Sequence, residues 1–245
     1  MRWIKSAGAV GLLAYAFGFG RPVGRTQTAA PPQAPALPAV PAPPPANVQT
    51  RFVVVLDAAH GGSDTGAKMS DGTLEKDVTL ALSVHLRSSL RARGIDVVTT
   101  RESDVNVAPV DRAQTENRAQ ATACLTLHAT ATGSGVHLFT SSLSPAASAR
   151  ILPWDTAQAA SVTQSMKLES EIDTALAHTG IPVTLGRASV PPMDHLTCPE
   201  VAVEMAPLVG GHVTASRAIS DAGYQKQVVD SLAAAIEQWR NDWKQ

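Results

Sequence analysis

Three short apolar runs set the terms on which this chain can fold: FVVVL from Phe52, CLTL from Cys124 and VAV from Val201. Their apolar residues follow one another with little alternation, so strands built from them need cover on both faces, as in a parallel sheet held between helices. Each run also leads into a residue that can hold a metal or move a proton. The first passes through Asp57 to His60, the second enters His128, and the third enters Glu204. In an open α/β sheet, ligands bind in the crevice at the carboxyl ends of the strands, so these three ends predict one convergent site.

The segments between the runs supply the helices. Leu74, Val78, Leu82, Leu86 and Leu90 recur every four residues and are followed by Gly94, which predicts a helix over 73–93 with a glycine C-cap. Further helices are expected over 110–121 and 157–178, the latter stopped by Gly180-Ile181-Pro182. A closing amphipathic helix is expected to carry Tyr224, Val228, Leu232, Ala235 and Trp239 on one face. Strands are expected over 52–56, 95–99, 123–127, 136–140 and 201–203. The expected fold is a single three-layer α/β domain, a mostly parallel central sheet with helices on both faces.

The chain has 245 residues, 44% of them hydrophobic, enough for one substantial core. Its beginning reads differently from the rest. Arg2 and Lys5 precede an apolar stretch over 7–19, which has the form of a secretory leader, so 1–28 is read as a signal peptide or a retained N-terminal anchor. Residues 29–47 are almost wholly Pro and Ala, an extended spacer, and the folded domain is expected over 48–245. The protein is therefore expected to be exported, to the periplasm or cell envelope. A formal net charge of -1 leaves no basic footprint for nucleic acid.

Two cysteines occur, Cys124 and Cys198. If His128 and Glu204 stand level on neighbouring parallel strands, the cysteines are offset by about 6.6 Å along and 4.8 Å across. That places them roughly 8 Å apart, beyond disulfide reach, so two buried thiols are expected.

At the site, His60 is followed by Gly61 and Gly62, which let the backbone turn just past a strand and present the imidazole. Two histidines and one carboxylate form a common catalytic zinc set, which leaves a third ligand to be found. Glu75 borders the core-facing stripe of its helix, an odd place for a solvated charge. Read alone, it is equally an acid favoured by the helix dipole. Glu204 has the position of a general base, with an ion pair to Arg187 or support of a histidine as alternatives. Glu200 precedes the strand and is expected at its other end. His85, His178 and His212 read as structural or solvated, whereas His137 and His195 are near enough in sequence to site elements to approach the cleft. Neither an H-E-x-x-H helix nor a G-x-S-x-G elbow is present.

Five segments in order carry a resemblance: LDAAHGGSDTGA, LEKDVTLAL, TTRESDVNVAPVDRAQTEN, TLHATA and VAVEMAPL. From about Phe52 to Trp239 the chain resembles the zinc-dependent N-acetylmuramoyl-L-alanine amidases of family 3, which act on the bacterial cell wall. The resemblance implies one Zn2+ held by His60, Glu75 and His128, with Glu204 as the catalytic acid/base. It implies hydrolysis of the amide between the lactyl group of N-acetylmuramic acid and L-alanine, peptidoglycan as the partner, an activator protein as a further one, and a monomer. Departures from the family pattern fall at Ala58, Ala59, Thr130 and Met205, positions expected along the rim of the cleft. The segment between Thr140 and Ala157 is short for a long inhibitory helix. Alternative readings are a catalytically weak peptidoglycan-binding protein of the same fold, or a zinc peptidase or deacetylase acting on another envelope substrate.

Overall fold

A computed structural model describes residues 51–146, 152–210 and 216–243; the expected leader, the spacer and His212 lie outside the described residues. In chain order the elements are β1 (Val53–Ala58), α1 (Glu75–Ala92), β2 (Asp96–Thr99), α2 (Pro109–Ala119), β3 (Ala123–Ala129), β4 (Val136–Ser141), α3 (Val162–His178), β5 (Val183–Ala188), β6 (Glu200–Met205) and α4 (Ala222–Trp243). The six strands form one sheet in the order β2-β1-β3-β6-β4-β5. Every pairing is parallel except that of β4 with β6. Among the described residues no helix is long and apolar enough to cross a membrane.

Alternation along the strands divides the interior into two layers. Val54 and Leu56, Leu125 and Leu127, and Val201 and Val203 face the larger core, which α1, α3 and α4 cover. Val55 and Cys124 face the other way, toward Ala113 of α2. Helices thus lie on both faces, as the apolar runs require. The expected stripe of α1 is buried at Val78, Leu82, Leu86 and Leu90. Its end is closed by Gly94 in the left-handed region, with Ile95 N–H donating to the Leu90 carbonyl at 3.1 Å.

Three expectations need correction. The helix expected over 157–178 is two pieces, a 3-10 stretch Trp154–Ala160 and then α3, with Ser161 at the junction. β5 was not expected, because its sequence, VTLGRA, is a largely exposed edge strand without the buried run that marks the others. Cys124 and Cys198 form a disulfide, with a Cα–Cα separation of 6.1 Å. His128 and Glu204 do stand level. The assumption that failed is extended backbone before β6: the chain bends at Thr197 and Cys198, and Cys198 lies nearer Cys124 than a straight strand would put it.

The layer beneath α2 is unusually polar. Asp57 accepts from Arg112 Nη1 at 2.5 Å and from the Thr100 hydroxyl at 2.5 Å. Glu200 is the first residue of β6, wholly buried rather than ahead of the strand, and its Oε1 accepts from Thr126 N at 3.0 Å and Thr126 Oγ1 at 2.6 Å. Burial pushes Glu200 up to about 8. Glu116 of α2 is raised well above the ordinary carboxylate range, first by burial and then by Asp57 and Glu200. Both shifts favour the protonated form of these acids in the fold.

Between about pH 4.5, where Glu200 ionises in the unfolded chain, and about pH 8, the folded state binds the extra proton. Stability is therefore expected to fall as pH rises through that window, by on the order of a few kcal/mol. Glu200→Gln is expected to flatten this dependence, read as urea midpoints at pH 5 and pH 8. Parallel midpoints in the variant and the parent would count against a protonated Glu200.

Candidate metal centre

The site begins where β1 runs out. His60 takes φ = 62°, a left-handed conformation that costs a side-chain-bearing residue about 1–2 kcal/mol and has to be held by its surroundings. Two buried arginines hold it. Arg112 Nη1 donates to the Ala58 carbonyl at 2.7 Å and its Nη2 to the His60 carbonyl at 2.7 Å. Arg101 Nε donates to the Ala58 carbonyl at 2.8 Å, and its Nη2 reaches the carbonyls of Ala59 at 3.1 Å and Lys76 at 2.7 Å. The last contact ties the loop after β1 to the first turn of α1, where Glu75 stands.

Glu75, 5% exposed, lies between the two histidines. Its Oε2 is 3.2 Å from His60 Nε2 and its Oε1 is 2.9 Å from His128 Nδ1. Backbone N–H groups of Ala67 and Ala129 donate to the same carboxylate at 2.8 and 3.1 Å. Burial alone would raise Glu75, but the bonds from His128, Ala67 and Ala129 together outweigh it and hold the group below its ordinary range. A fixed anion thus faces two imidazoles. One ligand atom from each of His60, Glu75 and His128 can be chosen so that all lie within 4.8 Å of one another. Gly66 makes room for this: a Cβ there would fall 2.6 Å from Glu75 Oε2 and 2.7 Å from His60 Cδ2.

His60 is oriented from behind by Asp64, whose Oδ2 is 2.9 Å from His60 Nδ1. The Asp64 carboxyl is held low chiefly by that bond. A histidine tied through one ring nitrogen to a carboxylate presents the other for coordination, the arrangement usual behind metal ligands. Two imidazoles and a carboxylate suit a divalent ion of borderline softness. His128 Nε2 is buried without a hydrogen-bond partner among the described residues.

Register places the fourth predicted residue. Glu204 on β6 stands level with His128 on β3 and, across the antiparallel pair, with His137 on β4. His137 Nδ1 lies 2.7 Å from Glu204 Oε2. Glu200 is on the same face four residues earlier, roughly 13 Å back along the strand. Arg187 does not pair with Glu204; its guanidinium donates to the Ser141 carbonyl at 2.9 and 2.6 Å. Of the two histidines expected to approach the cleft, His137 meets Glu204, whereas His195 does not line the cavity beside His60 and its ring packs at a tilt against Trp154, centroids 4.2 Å apart. His85 and His178 are exposed, as expected.

A small cavity of about 140 Å3 adjoins the centre, lined by His60, His128, Asp64, Asn106 and the cis-linked Pro191-Pro192. A larger one, about 720 Å3, lies at the opposite ends of the strands beside Arg51, Thr122 and Trp239, away from the convergent residues. The expected rim positions need correction too. Ala58 and Met205 are wholly buried, because alternation turns them into the core; Ala59 reaches the small cavity, and Thr130 is partly exposed beyond the end of β3. Asp64 and the two arginines support the candidate site through their contacts and were not singled out by pattern reading. The available signal for Asp64 was its position four residues after His60 in a glycine-rich turn.

Residues 54–238 match the family model described as N-acetylmuramoyl-L-alanine amidase, Amidase_3. The N-acetylmuramoyl-L-alanine amidase AmiA of Escherichia coli K12 is 43% identical over 77 residues, which cover 31% of this chain and 27% of AmiA. The germination-specific amidase of Bacillus subtilis is 46% identical over 57 residues, 23% of this chain and 24% of its own length. The chain therefore matches only about a quarter of either relative. In three dimensions the catalytic domain of CwlV, an amidase from Bacillus (Paenibacillus) polymyxa var. colistinus, superposes with a TM-score of 0.61 at 21% identity. The alignment covers 78% of this chain and 98% of that domain, so the fold is shared nearly throughout.

Asp64→Asn is expected to weaken retention of a divalent ion about 10–100-fold while leaving the fold intact. Chelator competition on the purified domain measures this. Unchanged retention would mean that Asp64 does not orient His60 toward a metal.

Proposed function

The chain belongs to the N-acetylmuramoyl-L-alanine amidase family, and from that premise we propose that it is an exported enzyme that cleaves the amide between the N-acetylmuramic acid lactyl group and L-alanine in peptidoglycan. The observation that carries this reading is the convergence of His60, Glu75 and His128 within one ligand sphere, with Glu204 level with His128 at the neighbouring strand end. We assign the three as ligands of one zinc ion and Glu204 as the acid/base. Zinc, when bound, supplies Lewis acidity toward the scissile carbonyl and toward water.

The protein's own groups supply the rest. Glu75 is kept anionic by its two backbone donors and by His128, so it offers a charged oxygen at neutral pH without a proton to lose first. Asp64 holds the His60 ring with one nitrogen free to coordinate. The Glu204 side chain, 30% exposed, is reachable by water and by an extended substrate. It takes a proton from the attacking water as the new C–O bond forms. It then returns that proton to the departing nitrogen as the C–N bond breaks, so that one water, one acid and one amine balance.

In this reading 1–28 directs export and 29–47 spaces the amidase domain from the point of export or attachment. A partner that controls access to the small cleft is compatible with its size. Conversion of sacculi by the domain from residue 48, followed by mass spectrometry, is expected to release stem peptides with free L-alanine amino termini. Glu204→Gln is expected to keep zinc at parity with the parent while turnover falls about 10²–10⁴-fold. Near-parental turnover in that variant would remove Glu204 from the mechanism, and intact sacculi with bound parent protein would favour a binding protein instead.

A further inference from the structure

We propose that His137 is a positioning residue for the reaction: it holds one oxygen of Glu204 so that the other is presented to the attacking water. This rests on the amidase reading of the site. The contact is His137 Nδ1 to Glu204 Oε2 at 2.7 Å, and strand register dictates it, since the two residues are direct partners across β4 and β6. Glu204 is thereby flanked on one side by His128 and on the other by His137, in one row across three strands on one face. The first belongs to the ligand set. The second does not, because among the described residues only His60, Glu75 and His128 share that ligand sphere.

A partly exposed glutamate at a strand end has several rotamers available, and only some aim a carboxylate oxygen at the reacting centre. Its backbone is fixed by the sheet, but its side chain needs a partner to select among them. His137 is suited to this because its own ring is confined. A Cβ on Gly133 would fall 2.4 Å from His137 Cε1 and 2.6 Å from Nε2, so the loop backbone lies directly against the ring edge. The His137 side chain is 16% exposed, and its only hydrogen-bond partner among the described residues is Glu204. Among the described residues no other charged side chain is paired with the ring; its neighbour on β5 is Thr184. Gln and Asn cannot both replace it. The Asn amide nitrogen falls near the place of histidine Nδ1, the atom that makes the contact, whereas that of Gln falls near Nε2.

Kinetics on purified sacculi or a defined muropeptide, with zinc content measured alongside, test the role. His137→Ala is expected to lower kcat about 10–100-fold with KM within about twofold and zinc unchanged, because misplacing a catalytic group by about 1 Å costs that much. His137→Asn is expected to recover most of the loss and His137→Gln little. Equal losses in Ala and Asn variants overturn positioning through Nδ1, as does a loss that resides in KM or in zinc content. Ring nitrogen shifts provide a readout independent of turnover: His137 is expected to carry its proton on Nδ1, and to lose that preference in Glu204→Ala. Unchanged shifts in that variant overturn the pairing. A parent protein that holds zinc and shows the shifts, yet leaves sacculi intact, overturns the amidase reading while leaving the pairing in place.

Discussion

Everything at the centre depends on how the chain leaves β1. A strand buried on both faces delivers its last residues into a crowded sheet end, and the next residue must turn sharply while presenting an imidazole. The turn is made at His60 itself, in a conformation that a side-chain-bearing residue adopts only under constraint. The constraint is the pair of guanidinium groups from Arg101 and Arg112, which take up the carbonyls of Ala58, Ala59 and His60. The Ala59 carbonyl also accepts from the Thr79 hydroxyl at 2.8 Å, while both guanidinium groups converge on the Ala58 carbonyl, a buried acceptor that would cost about 1–3 kcal/mol if left unpaired. Because Arg101 also bonds the Lys76 carbonyl, the same clamp sets the distance between His60 and Glu75. Two candidate ligands, one from the loop after a strand and one from a helix, are thus positioned by one structural device.

The second half of the site needs no such device. His128, Glu204 and His137 are brought level by strand pairing alone, with neighbours about 4.8 Å apart across the sheet. The antiparallel entry of β4 matters here. It places the start of β4, rather than its end, beside the carboxyl end of β6, so a residue from the beginning of a strand joins residues from the ends of two others. A fully parallel sheet would have put Ser141, the last residue of β4, nearer that row. The one inversion in the sheet is therefore what brings His137 to Glu204.

Much of this was legible in the residues because it depends on local pattern. The apolar runs fixed the buried strands, and the residues following them identified His60, His128 and Glu204 without reference to any family. Glu75 was different: its place in the first turn of α1 has an ordinary explanation in the helix dipole, and only the resemblance distinguished it. Asp64, Arg101 and Arg112 act through backbone carbonyls and ring nitrogens of residues distant in sequence, contacts that leave no periodic trace. The disulfide was missed for a related reason. Its expected separation came from ideal strand geometry, which ends at Glu200, whereas Cys198 lies in the approach to the strand. β5 escaped because an exposed edge strand lacks the burial that writes a pattern.

The polar layer behind the centre also bears on its chemistry. Asp57, Glu116 and Glu200 lie on the same side of the sheet as His128 and Glu204, and three carboxylates ionised together there would compete with the candidate ligands for any cation and would raise one another's proton affinity. The structure removes most of that charge in two ways. Asp57 is paired with Arg112, and burial shifts Glu116 and Glu200 toward their protonated forms. The carboxylate that lies between His60 and His128 is Glu75, which is held low by its own donors. Burial raises each of these acids; in Glu75 the donors to the charged form outweigh it, whereas in the more deeply buried Glu200 the two bonds from Thr126 do not. Glu75 receives bonds from two backbone donors and His128, whereas Glu116 has no partner among the described residues for either oxygen. Charge is thereby concentrated at the candidate ligands His60, Glu75 and His128, where a divalent ion could neutralise it.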